Sequence, residues 1–209
     1  MRYVEALGVA LQLTLLFGFS PVIIAVNGQS TGFPSTDYNR CNIISGQSKA
    51  SPLRLDCLVA PSDDAYVDNL SPSLTFGDMP ILIVQALPSI PTLRDYAYVK
   101  FDVANALPSQ MTQSHAKPFN ASLSMYVEWI NFFYNATVQV HSVKNSTWDE
   151  RSITWNNRPA FDPSFSQIPI RANDTWVQWD LTRMVGEVQN DSEVSFALIP
   201  DARSWKNQV

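Results

Sequence analysis

Residues 145–159 read NSTWDERSITWNNRP, and the reading of this stretch decides the fold. It holds no nucleophile motif and no metal-ligand spacing. Trp148 and Trp155 lie seven residues apart and flank Ile153 and Thr154, which are expected to form a short strand. That strand should break at Asn156-Asn157-Arg158-Pro159, because asparagine side chains satisfy local backbone groups and proline ends a hydrogen-bonded ladder. Large aromatics beside a strand that turns sharply read as a wedge closing a β-sandwich, so Trp148 and Trp155 are expected in the core.

On both sides the pattern is period-two alternation from Asp63 onward, punctuated by Pro, Asn and Asp. Expected strands cover 65–67, 81–86, 96–102, 123–128, 137–143, 152–155, 168–170, 176–181 and 194–199. In 96–102, Ala97, Val99 and Phe101 share one face while Tyr96, Tyr98 and Lys100 share the other. Leu123, Met125 and Val127 repeat this arrangement, as do Val177, Trp179 and Leu181. One apolar face per strand is what two packed antiparallel sheets require. The one helical signal is Leu181, Met184, Val185 and Val188, with Asp180 or Thr182 as its cap.

Trp148-Asp149-Glu150, Ile153-Thr154-Trp155 and Asn156-Asn157-Arg158-Pro159 belong to an ordered set. It includes DAYVD at 64–68, TFG at 75–77, LRDYAYVKFD at 93–102 and WVQWDLT at 176–182. The set resembles the DNRLRE-type carbohydrate-binding module, similar to carbohydrate-binding module family 96, across about residues 60–200. The resemblance implies an all-β fold: an antiparallel β-sandwich of jelly-roll type with one short helix. It also implies a secreted protein that binds carbohydrate without catalysis, its partner a polysaccharide or cell-wall glycan. The chain departs from the family at its end. Residues 201–209 are short and polar where the family continues into a closing strand, so the sandwich either lacks its last strand or leaves an edge open. An open edge is a template for pairing. The alternative is therefore a structural extracellular-matrix or surface-filament subunit that self-associates by strand addition.

With 209 residues, 45% of them hydrophobic, the chain has room for one good-sized domain and an N-terminal extra segment. A net charge of −5 and the lack of any Lys/Arg run exclude nucleic acid as the expected partner. In residues 1–28, Arg2 precedes an apolar run from Leu7 to Val26. This is the pattern of a signal peptide cut before Gln29, or of a membrane anchor if uncleaved. Residues 29–60 form a Ser-rich lead-in in which Cys41 and Cys57 are expected to pair as a disulfide, against the reading of two free buried thiols. Residues 61–209 are the expected sandwich domain. Six N-x-S/T acceptors, at Asn69, Asn120, Asn135, Asn145, Asn173 and Asn190, exceed the roughly two that composition alone gives. They support an exported, extracellular glycoprotein.

Three constellations could carry function. Asp64 and Asp68, with Asp63 beside them, share the opening strand; joined by Asp180 they could hold a structural Ca²⁺, an ion that takes oxygen ligands. Ordinary solvated carboxylates are the competing reading. Trp129, Phe133 and Tyr134 crowd a hairpin tip, where exposed rings stack on sugars, unless the tip folds back over the sandwich end. Tyr98, Lys100 and His141 fall opposite their strands' apolar sides, near Arg94, Lys144, Arg151 and Arg158. A shared outer surface there would suit a glycan, including a uronate polymer whose carboxylates meet cations. No G-x-S-x-G or H-E-x-x-H occurs, and His115 and His141 form no paired motif, so an enzyme is not expected.

Overall fold

The computed structural model describes residues 9–16, 40–44, 54–87, 90–106, 117–130, 136–185 and 193–201. Among them the strands are β1 (Val9–Leu16), β2 (Arg40–Ile44), β3 (Arg54–Val59), β4 (Asp63–Asp68), β5 (Gln85–Leu87) and β6 (Ile90–Asp102). These are followed by β7 (Lys117–Val127), β8 (Ala136–Val143), β9 (Ser166–Ile170), β10 (Thr175–Asp180) and β11 (Glu193–Pro200). Two short helices, α1 (Val103–Ala106) and α2 (Thr182–Val185), are also found among the described residues. The helix expected from Leu181 onward is α2, with Asp180 Oδ1 accepting from Thr182 N at 2.9 Å. The extra helix α1 follows from Asp102, whose Oδ1 accepts from Asn105 N at 3.0 Å in the manner of an N-cap.

A five-stranded sheet runs β10-β7-β1-β3-β2, and a six-stranded sheet is ordered β4-β6-β11-β8-β9 with β5 also pairing β6. All pairings are antiparallel. The alternation dictates what lies between the sheets. Leu123, Met125 and Trp179 from the first meet Val99, Phe101, Val140, Phe196 and Leu198 from the second in one buried cluster. Trp179 also donates its Nε1–H across the gap to the Val138 carbonyl at 3.1 Å, satisfying the polar atom of an otherwise apolar ring. The all-β sandwich expected from the sequence is thus the observed architecture.

The six-stranded sheet buries its other face as well. Ala65, Val67, Tyr98, Val143, Ala197 and Ile199 pack under Trp148 and Ile153, with Tyr96, Trp155 and Phe161 at the margin. The cover is the chain after β8, residues 144–165. The expected strand at 152–155 is corrected here: Ser152 and Trp155 lie in turns, with Ile153 and Thr154 as irregular chain between them. The cause is local hydrogen bonding. Asp149 Oδ1 accepts from Arg151 N at 2.8 Å, the Asp149 carbonyl from Ile153 N at 2.9 Å, and Asn157 Oδ1 from Thr154 N at 2.6 Å. Side chains that offer the backbone such partners compete with a strand ladder. Gly77 is needed beside this cover, because a Cβ there would lie 2.1 Å from the Glu150 carbonyl oxygen.

One further expectation changes, and the run read as a leader contains a strand. Of residues 81–86 only the last two join a strand, β5. Val9–Leu16, inside the run read as a leader, forms β1 between β3 and β7, with Leu11 opposite Val59 on one side and Leu123 on the other. Polar Gln12 and Thr14 at alternate positions make that run compatible with a strand as well as with a leader. Across β2 and β3, Cys41 is directly opposite Cys57, and no described cysteine is a free thiol. β11 lies between β6 and β8, so both its edges are paired. Among the described residues the sheet edges are β2 and β10 in one sheet, β4 and β9 in the other. Pro169 interrupts the donors of β9, which makes that edge a poor template. Among the described residues no helix is long and apolar enough to cross a membrane.

Candidate functional site

The expected glycan surface of Tyr98, Lys100 and His141 is corrected by the cover. Tyr98 is fully buried and its hydroxyl donates to the Pro159 carbonyl at 3.1 Å, burial pushing the phenol well above its ordinary range. Lys100 Nζ lies 2.9 Å from Asp63 Oδ2, donates to the Trp148 carbonyl at 2.7 Å, and sits over the Trp148 ring. His141 Nδ1 is 2.7 Å from the Asp162 carbonyl oxygen and its ring packs edge-on to Phe161. Burial lowers the His141 pKa, with the bond to Asp162 opposing it. These outward side chains hold the cover down instead of meeting solvent. Of the cations beside them, Arg158 stacks 3.8 Å over the Trp155 ring and Lys144 pairs with Asp162 at 3.1 Å.

The calcium donors are not assembled. Asp180 belongs to β10 at one edge of the five-stranded sheet, whereas Asp64 and Asp68 lie on β4 at an edge of the other. Asp180 Oδ1 caps α2 and Asp68 Oδ1 accepts from Leu70 N at 2.7 Å. Among the described residues no group of three or more His, Cys, Asp or Glu is placed to hold a metal ion. The three expected donors therefore do not form one site. Burial, then Glu150 and Asp63, push the Asp64 carboxyl up to about 6. A second perturbed acid escapes the sequence reading: Asp95, 3% exposed, directly opposite Asp68 in the β4–β6 register.

The solvent face of the five-stranded sheet is different. Strands β7 and β10 send Leu123, Met125 and Trp179 inward, so their alternate positions Ser122, Ser124, Tyr126, Trp176 and Gln178 lie on the other face. Register sets Trp176 directly opposite Tyr126 and Gln178 opposite Ser124. The half-buried Tyr126 and Trp176 rings meet edge to face, centroids 5.7 Å apart and planes at 65°. Beside them Gln178 Nε2 donates to Ser122 Oγ at 2.7 Å and to Ser124 Oγ at 3.3 Å. Two aromatic rings next to a row of hydroxyls and an amide can stack on sugar CH groups while meeting sugar hydroxyls.

The turn before β10 ties this platform to Trp129, just past the end of β7 and one of the aromatics expected to be exposed there. Tyr126 hydroxyl donates to Asp174 Oδ1 at 3.3 Å, and Asn173 Oδ1 accepts from Ile130 N at 2.7 Å. Asp174 makes the turn with φ of 49°, a left-handed conformation that Asp and Asn tolerate best among residues with a side chain. Trp129, between the two tethers, is 71% exposed. Phe133 and Tyr134 lie outside the described residues, as do Asn135 and Asn190. Tyr126 and Trp176 were legible in principle: in TWVQWD, Trp176 and Trp179 differ by an odd number and so occupy opposite faces.

The acceptor asparagines differ in setting. Asn145 is exposed and its Oδ1 accepts from Thr147 N at 3.0 Å and from Thr147 Oγ1 at 2.7 Å. Asn120 is exposed, while Asn173 is half-buried in the turn beside the platform. Asn69 is built into the fold, its amide nitrogen donating to the Thr92 carbonyl and its Oδ1 accepting from Arg94 N at 2.8 Å.

The family model of carbohydrate-binding module family 96 matches residues 57–207. No curated protein matches the chain.

Proposed function

Because this chain belongs to carbohydrate-binding module family 96, whose members bind carbohydrate, we propose that it is an exported, non-catalytic polysaccharide-binding module that grips its ligand on the outer face of β7 and β10. The observation that carries the site is the cross-strand Tyr126–Trp176 pair, with Trp129 exposed at the same end. Supporting the non-catalytic reading, the two carboxyls pushed up to about 6, Asp64 and Asp95, and the depressed His141 belong to the six-stranded sheet and not to the platform. Export is supported by the six acceptor asparagines and the facing Cys41 and Cys57, which we propose form a disulfide. The exposed acceptors Asn120 and Asn145 are the favoured glycan carriers; on Asn69 a glycan would displace a structural amide bond.

The reading predicts that Tyr126→Ala and Trp176→Ala each weaken retention by a polysaccharide gel by about 30-fold, or about 2 kcal/mol, the scale of a binding hot spot. Both side chains are on the solvent face, so melting temperature should fall only slightly. Unchanged retention of both variants would remove the platform from the account.

A further inference from the structure

Resting on the carbohydrate reading of that face, we infer that the platform takes a single soluble chain of uncharged sugars and discriminates against uronate polymers. Charge is the first ground. The ionisable residues of β10 and the β7 end at this face are Asp180 and Glu128, both exposed, and Asp174 joins them from the turn, accepting from the Tyr126 hydroxyl. Asp174 and Glu128 both act on Tyr126: after burial, their charges help hold its hydroxyl above the ordinary range. The fields of two carboxylates thus converge on one of the two stacking rings. Described residues of β7 and β10 whose side chains are defined include no Lys or Arg. The nearest cations in sequence, Arg171 and Arg183, are exposed but sit beyond the two ends of β10, before the turn and on α2. A polyuronate laid along Trp176 and Tyr126 would bring carboxylates against carboxylates, and like charges brought together at an interface are strongly disfavoured. The cations that would have welcomed it, Lys100 and Arg158, are committed beneath and within the cover on the opposite side of the sandwich.

Shape is the second ground. Two rings inclined at 65° cannot both lie flat against one plane, so the face does not match a crystalline polysaccharide surface. It suits one flexible chain, which can turn a CH face to each ring in succession. Half-buried Ser124 and exposed Gln178 then present neutral groups that both donate and accept, as sugar hydroxyls do, while buried Ser122 holds the Gln178 amide in place.

The test is affinity electrophoresis of the full chain and its Trp176→Ala variant. The gels hold soluble mixed-linkage β-glucan, galactomannan, xylan, alginate or polygalacturonate, at low and moderate salt, with calcium or EDTA. A pull-down on microcrystalline cellulose accompanies them. The expected result is retardation by at least one neutral soluble polymer, insensitive to salt and EDTA and weakened about 30-fold in the variant, with at least tenfold weaker retardation by both polyuronates. Stronger retardation by a polyuronate, fading with salt or with EDTA and lost in Trp176→Ala, would overturn the inference and leave the platform standing. Strong retention on the crystalline solid, lost in the variant, would do the same. Neutral binding that survives Trp176→Ala, or no retardation in any gel, would overturn inference and platform together.

Discussion

Lys100→Met lowers the stability of the folded module by about 3–5 kcal/mol, the scale for stripping one partner from a buried ion pair, a large share of the roughly 5–15 kcal/mol that holds a domain together. Lys100 is 7% exposed, and three things depend on its ammonium group. It neutralises Asp63 at 2.9 Å, satisfies the Trp148 carbonyl at 2.7 Å, and lies over the Trp148 ring at 5.2 Å from the centroid. Methionine replaces the stem but leaves Asp63 without its counter-charge and a buried carbonyl without a donor. Each loss is of the expensive kind. The damage should concentrate at the cover, because Trp148, Ile153 and the turn between them are what Lys100 fastens. Urea unfolding with tryptophan fluorescence reads both the midpoint and the loss of the buried Trp148 signal. Adding Asp63→Asn to Lys100→Met should recover part of the stability, since the stranded charge goes with it. A midpoint unmoved by Lys100→Met would mean that the cover is held by its apolar contacts alone.

Asp95→Asn works in the opposite direction and is visible in the pH profile. Burial pushes the Asp95 carboxyl up to about 6; the bond donated by Gln85 Nε2 to Oδ2 opposes this and neighbouring Asp68 adds to it. Its Oδ1 has no hydrogen-bond partner. With a folded-state pKa above the unfolded value, the carboxyl is comfortable in the fold only while protonated. Its penalty is absent below about pH 4 and complete above about pH 6, so stability falls as pH rises through that window. Asparagine keeps the shape without the charge. The variant should gain at most about 3 kcal/mol at pH 7, the value of a two-unit displacement at about 1.4 kcal/mol per unit, and nothing near pH 4. His141 contributes the reverse slope, because burial lowers its pKa and the fold loses stability as acid charges it. The difference between variant and parent melting curves across pH 4 to about pH 7.5 removes that shared background. A difference that did not grow with pH would mean that Asp95 is not strained by its charge.

How much of this was legible in the chain follows from what alternation can and cannot say. Ala97, Val99 and Phe101 announced one face of β6 correctly, and Trp179 its place in the core. The same rule gave Tyr98, Lys100 and His141 to the other face, also correctly. It did not reveal that this face is covered, because period two distinguishes faces but not what lies over them. The cover consists of turns whose bonds run from Asp149 and Asn157 to nearby backbone, and short apolar residues between such turns look like a strand. Trp155 and Trp148 nonetheless signalled that something large had to be buried there. Trp176 was overlooked beside Trp179, although their odd separation already placed one inside and one out. The acidic row of Asp68 and Asp95 needed the β4–β6 register, which no local pattern contains.

The account's central claim is that sugar meets the outer face of β7 and β10 and that the cover keeps the opposite face out of reach. Indole N–H resonances test this directly in a titration with a soluble oligosaccharide that the module retains. Trp176 should shift progressively and Trp129 with it, while the buried Trp148 and Trp179 hold still, their N–H groups already committed to Ser195 Oγ and the Val138 carbonyl. A titration that moved Trp148 and left Trp176 unchanged would contradict the account.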